Sequence, residues 1–454
     1  MMQISALAIV LAAGKGTRMK SDIPKVMHAL AGAPILVHVL AAATAASVDE
    51  ICVVVGPDME EVGDIARSVD PKIHVVLQAE QRGTADAVKA AQNAFAGFGG
   101  SVIVLYGDTP LLHAETINRI RRELADGADI VVIGFEAKDP TGYGRLLLDE
   151  RGRLTGIREE KDASAEERAI TLCNSGIMGF GSGKTLANLL SRIGNANAKG
   201  EFYLTDAVTL AHAGALDTRM LRADASEVLG VNSRAELAQA EATIQHRLRD
   251  KVMEEGATLI APETVFLSHD TKIGKDVVIE PNVFIGPGVV IEDRATVHAF
   301  CHFVEAHIGA NAEVGPFARL RPGTELGSKT KVGNFVEIKT SEIAEGAKVP
   351  HLTYVGDTSV GVRANIGAGT ITCNYDGFAK HRTEIGAGAF IGSNSSLVAP
   401  VKIGEGAYVG SGSVISKDVP ADALALTRAP HEERPGWAAR FRKLKKRKSR
   451  ITPC

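Results

Sequence analysis

A glycine-rich loop near the start of the chain has the residue types that bind phosphate groups. Residues 6–11 (ALAIVL) are wholly apolar and predict a buried strand, and AAGKGTRM follows at 12–19. A glycine loop between a parallel strand and a helix lets backbone N–H groups approach an anion closely. Arg18 and Lys25 place two cations beside such a ligand. The spacing fits neither GxxxxGK[ST] nor GxGxxG, so the loop alone predicts a phosphate site without specifying its class.

Other residues suited to phosphate chemistry follow two apolar runs. The segment 78–84 (QAEQRGT) comes after the run at 74–77, and the segment 106–108 (YGD) comes after the run at 102–105. An aspartate that faces phosphates at a strand end is a natural Mg²⁺ ligand, because Mg²⁺ takes few carboxylates together with phosphate oxygens. The alternative for Asp108 is a turn cap.

The first half of the chain alternates apolar runs with helical patterns. Strands are predicted at 6–11, 51–55, 74–77, 102–105 and 130–133, and helices at 34–46, 58–68, 84–96 and 114–125. This alternation predicts an α/β doubly wound, Rossmann-like domain that binds its ligands at the carboxyl ends of its strands.

The second half repeats every six residues. From about Ile273 to Val419, an aliphatic residue followed by a glycine, a small or an acidic residue recurs at this interval, with interruptions. Neither a period of 2 nor one of 3.6 explains the pattern. A six-residue period is typical of a parallel β-helix, in which many coils must stack to bury a core. The hexads break around His351 and through 365–384, and such departures are candidate sites.

The string LAAGKGTRM, followed by Pro24-Lys25, resembles the sugar-nucleotide pyrophosphorylases. This resemblance implies that UTP and N-acetylglucosamine 1-phosphate react by in-line displacement with Mg²⁺, and that Asp108 and Asn232 are the metal ligands. The alternative for Lys25 is a solvated lysine at a helix end, and Asn232 alone would be interpreted as a capping residue. The implied nucleotide- and sugar-binding residues are Leu11, Ala12, Ala13, Gly14, Arg18, Lys25, Gln78, Gly83, Thr84, Tyr106, Gly107, Asp108, Gly144, Glu159, Asn174 and Asn232.

The hexads resemble the hexapeptide-repeat acyltransferases, which implies a left-handed β-helix. HLTY at 351–354 and NIGAGTITCNYDG at 365–377 resemble the acetyltransferase half of a family of bifunctional bacterial enzymes. That resemblance covers nearly the whole chain. It implies that the C-terminal half acetylates glucosamine 1-phosphate with acetyl-CoA, and that the N-terminal half then makes UDP-N-acetylglucosamine. It also implies a homotrimer with acetyl sites between subunits.

The same resemblance implies the acetyltransferase residues. His351 is the implied general base, a task that suits an imidazole near neutral pH. The alternative is a corner histidine that only satisfies backbone groups. Arg321 and Lys339 are implied to bind the sugar phosphate, and Tyr354 and Asn365 to orient the sugar. The implied acetyl-CoA residues are Ala368, Asn374, Tyr375, Ser393, Ser411 and Arg428.

Two other interpretations of the β-helix stay open. His298, His302 and His307 lie close together in sequence, and three histidines on a left-handed β-helix could bind Zn²⁺. The other possibility is a uridylyltransferase whose β-helix is only a trimerisation scaffold, since a repeat scaffold alone does not specify a function.

Length and charge bound the remaining choices. The 454 residues exceed what one core usually serves, so two or three domains are expected. We predict a uridylyltransferase domain at 1–232, a helical linker at 233–253 that opens with a capping box, and the β-helix with a basic tail at 254–454. A formal net charge of −3 predicts no overall attraction to nucleic acid or membrane.

The cysteines predict a cytoplasmic protein. Five scattered cysteines without a CxxC motif predict free thiols in a reducing compartment. Residues 1–14 lack a basic n-region and are too short to span a bilayer, so we predict a first strand there. The basic tail at 440–450 is interpreted as a solvated run, with attraction to CoA, RNA or an acidic surface as alternatives.

Overall fold

The computed structural model describes residues 5–448. The chain forms two compact units. The first comprises the residues up to Glu254 together with Phe266–Thr271, and the second comprises Glu255–Val265 and the residues from Lys272 onward. The helix that was predicted as a linker therefore groups with the first unit.

The first unit is built on a mixed sheet in the order β11-β7-β10-β6-β1-β4-β5, with β8 and β9 attached through β10. The strands β10, β6 and β7 form antiparallel pairs with β10 in the centre, whereas the other neighbours along this path are parallel. The strands of this unit are β1 (Ala6–Leu11), β2 (Ala29–Leu30), β3 (Ala33–Pro34), β4 (Glu50–Val55), β5 (His74–Leu77), β6 (Ser101–Tyr106), β7 (Ile130–Glu136), β8 (Arg145–Leu148), β9 (Leu154–Arg158), β10 (Leu172–Phe180) and β11 (Thr218–Arg222).

Helices cover both faces of this sheet. They are α1 (Ile35–Ala45), α2 (Glu60–Val69), α3 (Thr84–Ala90), α4 (Gln92–Phe95), α5 (Ala114–Ala125), α6 (Ala165–Arg168), α7 (Gly183–Arg192), α8 (Asp206–Ala213) and α9 (Arg234–Glu254).

The sequence of strand β1 is apolar throughout because the strand is buried on both faces of the sheet. Ala8 and Val10 pack in the core beneath α1, α2 and α5, while Leu7 and Ile9 pack in the core beneath α3, α7 and α8. A parallel strand buried on both faces reads as a continuous hydrophobic run.

Helix α9 begins where the sequence predicted. The Ser233 hydroxyl accepts a hydrogen bond from the Glu236 N–H at 3.2 Å, and the Glu236 carboxylate accepts one from the Ser233 N–H at 3.0 Å. These reciprocal bonds form the predicted capping box. The apolar side of α9, including Ala240 and Ile244, packs against Leu30 and neighbouring buried residues of the same unit.

The second unit is a left-handed parallel β-helix with three sheets, as predicted. The first face contains Thr258–Leu259, Val278–Ile279, Thr296–Val297, Glu313–Val314, Lys331–Asn334, Lys348–His351, Asn365–Ile366, Phe390–Ile391, Tyr408–Val409 and Leu424–Ala425. The second contains Phe284–Ile285, His302–Phe303, Arg319–Leu320, Glu337–Lys339, Tyr354–Gly356, Ile371–Cys373, Ser396–Val398 and Val414–Ile415. The third contains Lys272–Ile273, Val290–Ile291, Ala306–Ile308, Thr324–Leu326, Ser341–Ile343, Thr358–Val360, Thr383–Ile385 and Val401–Ile403.

The aliphatic residue of each hexad points inward and stacks on its equivalent in the next coil. Ile279, Val297, Val314 and Val332 form one such column, and each is at most 1% exposed. The interruptions of the repeat have a geometric cause. The coil from Val297 to Val314 is one residue shorter than the coil before it, and the coil that contains 374–382 carries an inserted loop.

A basic helix, α10 (Trp437–Lys448), ends the described chain. Its side chains are exposed through residue 446, and the last two residues of the predicted tail, 449–450, lie outside the described residues. Cys52, Cys173, Cys301 and Cys373 are free thiols, while Cys454 lies outside the described range. Among the residues described, no helix has both the length and the apolar character needed to cross a membrane.

Candidate active sites

A cavity of about 310 Å³ opens at the carboxyl ends of β1, β5 and β6. The glycine-rich loop after β1 forms one wall, and the segments after β5 and β6 form others. The structure thus brings most of the predicted nucleotide residues to one place. Those that line the cavity are Leu11, Ala12, Ala13, Gly14, Lys25, Gln78, Gly83, Thr84, Tyr106 and Asp108.

Lys25, Asp108 and Asn232 meet at the edge of this cavity. The Lys25 ammonium pairs with the Asp108 carboxylate and donates to the Asn232 side-chain oxygen at 2.9 Å. Both acceptors therefore point at one position, although they lie far apart in sequence. The backbone joins them as well, since the Val231 N–H donates to the Asp108 carbonyl at 2.8 Å. A carboxylate and an amide oxygen directed at one point suit Mg²⁺, which also takes water and phosphate oxygens.

The predicted sugar residues are Gly144 immediately before β8, Glu159 immediately after β9, and Asn174 on β10. The Asn174 N–H donates to the Gly144 carbonyl at 2.8 Å, and Thr205 donates to the Glu159 carboxylate at 3.2 Å. Burial raises the pKa of Glu159, and the bond from Thr205 opposes that shift. Tyr106 links this group to the nucleotide cavity: burial raises its pKa, and the charges of Glu159 and Asp108 add to the effect.

Besides Asn232 and the sugar residues, the predicted residues that do not line the cavity are Arg18 and Gly107, and several residues that line it were not predicted. Arg18 is exposed and does not line the cavity, while the Gly107 N–H donates to the Leu11 carbonyl at 2.9 Å. Gln81 and Glu201 both line the cavity, and the Gln81 side chain donates to the Ala13 carbonyl. Glu201 lies in the segment GEFYLTD at 200–206, which was not among the predicted site residues.

The backbone of this segment fixes the loop at Gly83. The Ala85 N–H donates to the Phe202 carbonyl at 2.9 Å, and the Phe202 N–H donates to the Arg82 carbonyl at 2.8 Å. Gly83 has φ +124°, and a Cβ there would lie 2.5 Å from the Phe202 carbonyl oxygen. Glycine is therefore required for both its backbone conformation and the close approach.

Gly83→Ala is accordingly expected to destabilise the first unit by about 1–3 kcal/mol and to displace the cavity wall. Chemical denaturation followed by circular dichroism measures the loss of stability. The rate of pyrophosphate release measures the effect of the displaced cavity wall. Gly97→Ala is the matched control, because a Cβ at Gly97 meets nothing within 4 Å. Equal behaviour of the two variants would contradict this account of Gly83.

His351 lies on the β-helix, exposed at the end of a first-face strand. Its Nδ1 contacts the Asn334 side-chain oxygen at 2.6 Å. Because that oxygen only accepts, Nδ1 carries the proton in the neutral ring, and Nε2 keeps its lone pair.

The predicted acetyl-CoA residues follow His351 up one corner of the β-helix. Backbone bonds connect this corner from coil to coil: Gly369 N–H to His351, Asn394 N–H to Ala368, and Gly412 N–H to Ser393. The Arg428 guanidinium donates to the Ser411 carbonyl at 3.2 Å and completes the column. Ala368, Ser393, Ser411 and Arg428 are thus brought together.

At this corner, one residue of each coil has a left-handed backbone conformation, and the size of its side chain changes at His351. Before His351 it holds Phe300, Phe317 and Phe335, which stack with ring centroids 4.9 and 5.1 Å apart, and immediately after His351 it holds Leu352. The later coils place Gly369, Asn394 and Gly412 at the equivalent position. Beyond Leu352 the residues at this position are therefore smaller.

Three cations gather on the neighbouring second face. Lys380 lies beside Lys339 and, as the main cause, lowers the pKa of Lys339, and Arg321 contributes in the same direction. Arg321 also donates to Glu337 at 2.8 Å. The prediction included Arg321 and Lys339 but missed Lys380, which the inserted loop brings into the group. Clustered cations suit a phosphate.

The remaining predicted residues surround the base of the inserted loop. The Asn374 amide donates to Asp357 at 2.5 Å and to the Tyr354 hydroxyl at 3.3 Å. Asn374 is buried and Asn365 half-buried, whereas Tyr375 is 62% exposed and its hydroxyl donates to the Gly377 carbonyl. A larger open groove, of about 560 Å³, lies elsewhere on the β-helix; His307 lines it, but none of the predicted acetyltransferase residues does.

The three histidines considered for zinc have separate environments. His298 lies between Glu280 and Glu313, at 3.0 and 3.2 Å. His307 lies between two other glutamates, at 3.0 and 3.3 Å, and His302 stacks on Phe284. Within residues 5–448, no group of three or more His, Cys, Asp or Glu side chains is arranged so that it could hold a metal ion.

The pairing of His298 predicts a pH-dependent stability. Burial favours its neutral form, but the two glutamates outweigh burial, and the net pKa is raised. A raised histidine pKa stabilises the fold fully below the unfolded value of about 6.5 and loses that effect as pH rises through the folded value. The melting temperature of the wild type should therefore exceed that of His298→Gln more at about pH 6 than at about pH 8.5. Calorimetry of the full chain tests this, and a difference independent of pH would contradict it.

Two family models match the chain, and together they define a nucleotidyltransferase joined to a hexapeptide-repeat transferase. Residues 8–170 match the MobA-like NTP transferase domain, and residues 270–303 and 382–417 match the bacterial transferase hexapeptide with six repeats. Similar proteins extend over the full length. A protein of Azorhizobium caulinodans, named bifunctional protein GlmU, is 57% identical over 97% of this chain and 98% of its own length. Proteins of the same name from Nitrobacter hamburgensis (57% identical, 97% of both chains) and a Bradyrhizobium species (55% identical, 98% and 99%) are equally extensive matches.

The chain belongs to the bifunctional GlmU family. Its two activities are those of an N-acetylglucosamine-1-phosphate uridylyltransferase and a glucosamine-1-phosphate N-acetyltransferase. Membership over the full length favours both activities over a uridylyltransferase with a β-helix that is only a scaffold.

Proposed function

We propose that the cavity of the first unit transfers UMP from UTP to N-acetylglucosamine 1-phosphate, and that the corner of the β-helix at His351 acetylates glucosamine 1-phosphate with acetyl-CoA. The second reaction supplies the substrate of the first, and the final product is UDP-N-acetylglucosamine, a precursor of bacterial cell-wall polymers. The observation that supports this proposal is that most of the predicted nucleotide residues line one cavity of the first unit, and that Ala368, Ser393, Ser411 and Arg428 follow His351 along one corner of the β-helix.

For uridylyl transfer we propose that Asp108 and Asn232 hold Mg²⁺, which would neutralise charge on the phosphates. The glycine loop at 12–14 offers backbone N–H groups to the nucleotide, and Gln78 and Gly83 contact its base. Lys25 neutralises the charge that develops as a phosphate oxygen of the sugar attacks the α-phosphorus of UTP and pyrophosphate leaves. The nucleophile is already an anion, so positioning and charge neutralisation suffice without a general base.

For acetyl transfer we propose that His351 is the general base. Asn334 holds Nδ1, so Nε2 is free to take a proton from the amine of glucosamine 1-phosphate as that amine attacks the thioester carbonyl. The tetrahedral intermediate collapses, the carbon–sulfur bond breaks, and CoA leaves as a thiolate that takes up the proton. Arg321 and Lys339 bind the sugar phosphate, with Tyr354 and Asn365 at the sugar.

The shape of the corner supports the proposed acetyl-CoA position. The cofactor would extend along the coils beyond His351, over Ala368, Ser393 and Ser411, where the left-handed corner position carries glycine or asparagine. Arg428 would face its phosphates, and Asn374 and Tyr375 would approach from the inserted loop. Before Leu352 the stacked phenylalanines occupy the equivalent space, so the corner has one open direction.

We further propose that the enzyme is a cytoplasmic homotrimer with functional domains at 1–232 and 254–454, joined by the helix at 233–253. Family membership supports the assembly, and the free cysteines agree with a reducing compartment. Sedimentation velocity on the full chain tests the trimer: a sedimenting mass three times the chain mass of 47.8 kDa supports it, and a monomer contradicts it.

The two half-reactions test the proposal separately. Glucosamine 1-phosphate and acetyl-CoA should give free thiol, and N-acetylglucosamine 1-phosphate with UTP and Mg²⁺ should give pyrophosphate. Pyrophosphate release should need a divalent cation, and thiol release should not. An enzyme that releases pyrophosphate but no thiol would leave the β-helix as a scaffold and contradict the second site.

A further inference from the structure

Arg145 is a buried cation beside the loop that carries Gly144. The residue is 1% exposed and is the first residue of β8. It does not line the nucleotide cavity, and the proposed mechanism does not use it. Burying a guanidinium is costly unless its N–H groups find partners, so the partners of Arg145 indicate what its position achieves.

The guanidinium joins three separate segments. One terminal nitrogen donates to the Tyr143 carbonyl and lies 3.4 Å from the Glu160 carboxylate. The other donates to the Arg168 carbonyl at 3.2 Å, on α6. The Glu160 carboxylate also accepts the N–H of Gly142, so Arg145 and Glu160 together hold the loop 141–144 from two sides.

These segments carry the proposed sugar site. Gly144 lies between Tyr143 and Arg145 in sequence, and Glu159 directly precedes Glu160. Asn174 is connected through its N–H bond to the Gly144 carbonyl. A movement of the Arg145 side chain would therefore shift the proposed sugar-contacting residues relative to one another. None of the hydrogen bonds described for the Arg145 guanidinium reaches the nucleotide-binding loop after β1.

We propose that Arg145 is a positioning residue for N-acetylglucosamine 1-phosphate in the uridylyltransferase site, an inference that rests on the proposed function. Its planar fork reaches a backbone carbonyl on one segment, a carboxylate on a second and a carbonyl on a third. A lysine ammonium, a single point of charge, cannot hold all of them in that geometry. The sugar site should therefore need arginine, whereas the UTP site should not.

Arg145→Lys tests this in the full-length enzyme. The KM for N-acetylglucosamine 1-phosphate is expected to rise by roughly 10- to 100-fold, because small displacements of a binding site have effects of this size. The KM for UTP is expected to stay within about twofold, and thiol release by the β-helix is expected to be unchanged. Glu160→Gln, which removes the charge and keeps the shape, should raise the same KM by a smaller factor.

Arg219→Lys is the matched control. Arg219 is an arginine of the same unit that pairs with Glu123, Asp126 and Asp217 at 2.8–2.9 Å, and it lies outside the sugar-binding segments. Its substitution should leave both KM values unchanged. The KM for N-acetylglucosamine 1-phosphate divided by the KM for UTP distinguishes positioning from a general loss of stability. A general loss of stability would not raise the KM of one substrate alone.

The outcomes are distinct. If Arg145→Lys behaves like Arg219→Lys, or if the KM values for UTP and the sugar rise in parallel, the inference is overturned. If Arg145→Lys does not fold, Glu160→Gln decides by the same ratio. A wild type that releases no pyrophosphate would contradict the proposed function, and the inference with it, before any variant is compared.

Discussion

Replacing His351 with alanine is expected to lower acetyl transfer by about 10²–10⁴-fold while uridylyl transfer is unchanged. The substrate amine must lose a proton as it becomes an amide, and the free Nε2 of His351 is the base that the proposal assigns to that step. Release of free thiol from acetyl-CoA measures the effect, with pyrophosphate release from the same preparation as the internal reference. Asn334→Ala should give a smaller loss, because the ring keeps its base but loses the contact that orients it.

His307→Ala is the control for a general effect of removing a histidine from the β-helix. His307 lies on the third face between Glu292 and Glu325, away from the corner that carries His351. Its substitution should leave thiol release within about twofold of the wild type. If His351→Ala kept most of the acetyltransferase rate, His351 would be a corner residue that satisfies its neighbours, and another group would act as the base.

Replacing Asp108 with asparagine is expected to lower pyrophosphate release by about 10²–10³-fold and to weaken the dependence on Mg²⁺. The substitution removes the carboxylate at the point where Asp108, Asn232 and Lys25 meet, and an amide is a poorer ligand for a hard cation. The Lys25 ammonium also loses its ion-pair partner. Initial rates over a range of Mg²⁺ concentrations measure both effects, and thiol release should be unchanged.

Asp149→Asn is a matched substitution in the same unit. Asp149 binds Arg153 in the exposed turn between β8 and β9 and does not line the cavity. Its loss should leave the Mg²⁺ dependence as in the wild type. If Asp108→Asn released pyrophosphate at the wild-type rate at the Mg²⁺ concentration that the wild type needs, Asp108 would be a turn cap, the alternative that the sequence left open.

The repeated parts of the fold were predictable because their physics is local. A six-residue period needs only the aliphatic residues from Ile273 onward, and the strand at Ala6–Leu11 is apolar because both of its faces are buried. Helix α9 begins at a capping box formed by residues three positions apart, Ser233 and Glu236. Each of these signals lies within a short window of sequence.

The parts that could not be predicted depend on distant contacts. Strand β10 inserts antiparallel between β6 and β7, and its register shifts between Asn174 and Met178, so its sequence does not alternate as a regular strand would. Lys380 reaches the cation group only because the inserted loop folds back. In the sequence, Arg145 looks like an ordinary charged residue. Only the structure shows that it is 1% exposed and that its hydrogen bonds and ion pair connect three segments.

The resemblance supplied what spacing alone did not. Asn232 had no distinguishing pattern around it, yet the structure places it 2.9 Å from the ammonium that also pairs with Asp108. Conversely, Glu201 lines the cavity although it was not among the predicted site residues.

The most direct test follows both products in one reaction. Wild type and His351→Ala are each given glucosamine 1-phosphate, acetyl-CoA, UTP and Mg²⁺, and free thiol and pyrophosphate are recorded together. The wild type should release thiol first and pyrophosphate after it, and the variant should release neither until N-acetylglucosamine 1-phosphate is added, which should restore pyrophosphate alone. Pyrophosphate release by the variant before that addition, or a wild type that uses only the ready-made acetylated sugar, would contradict the two-site account.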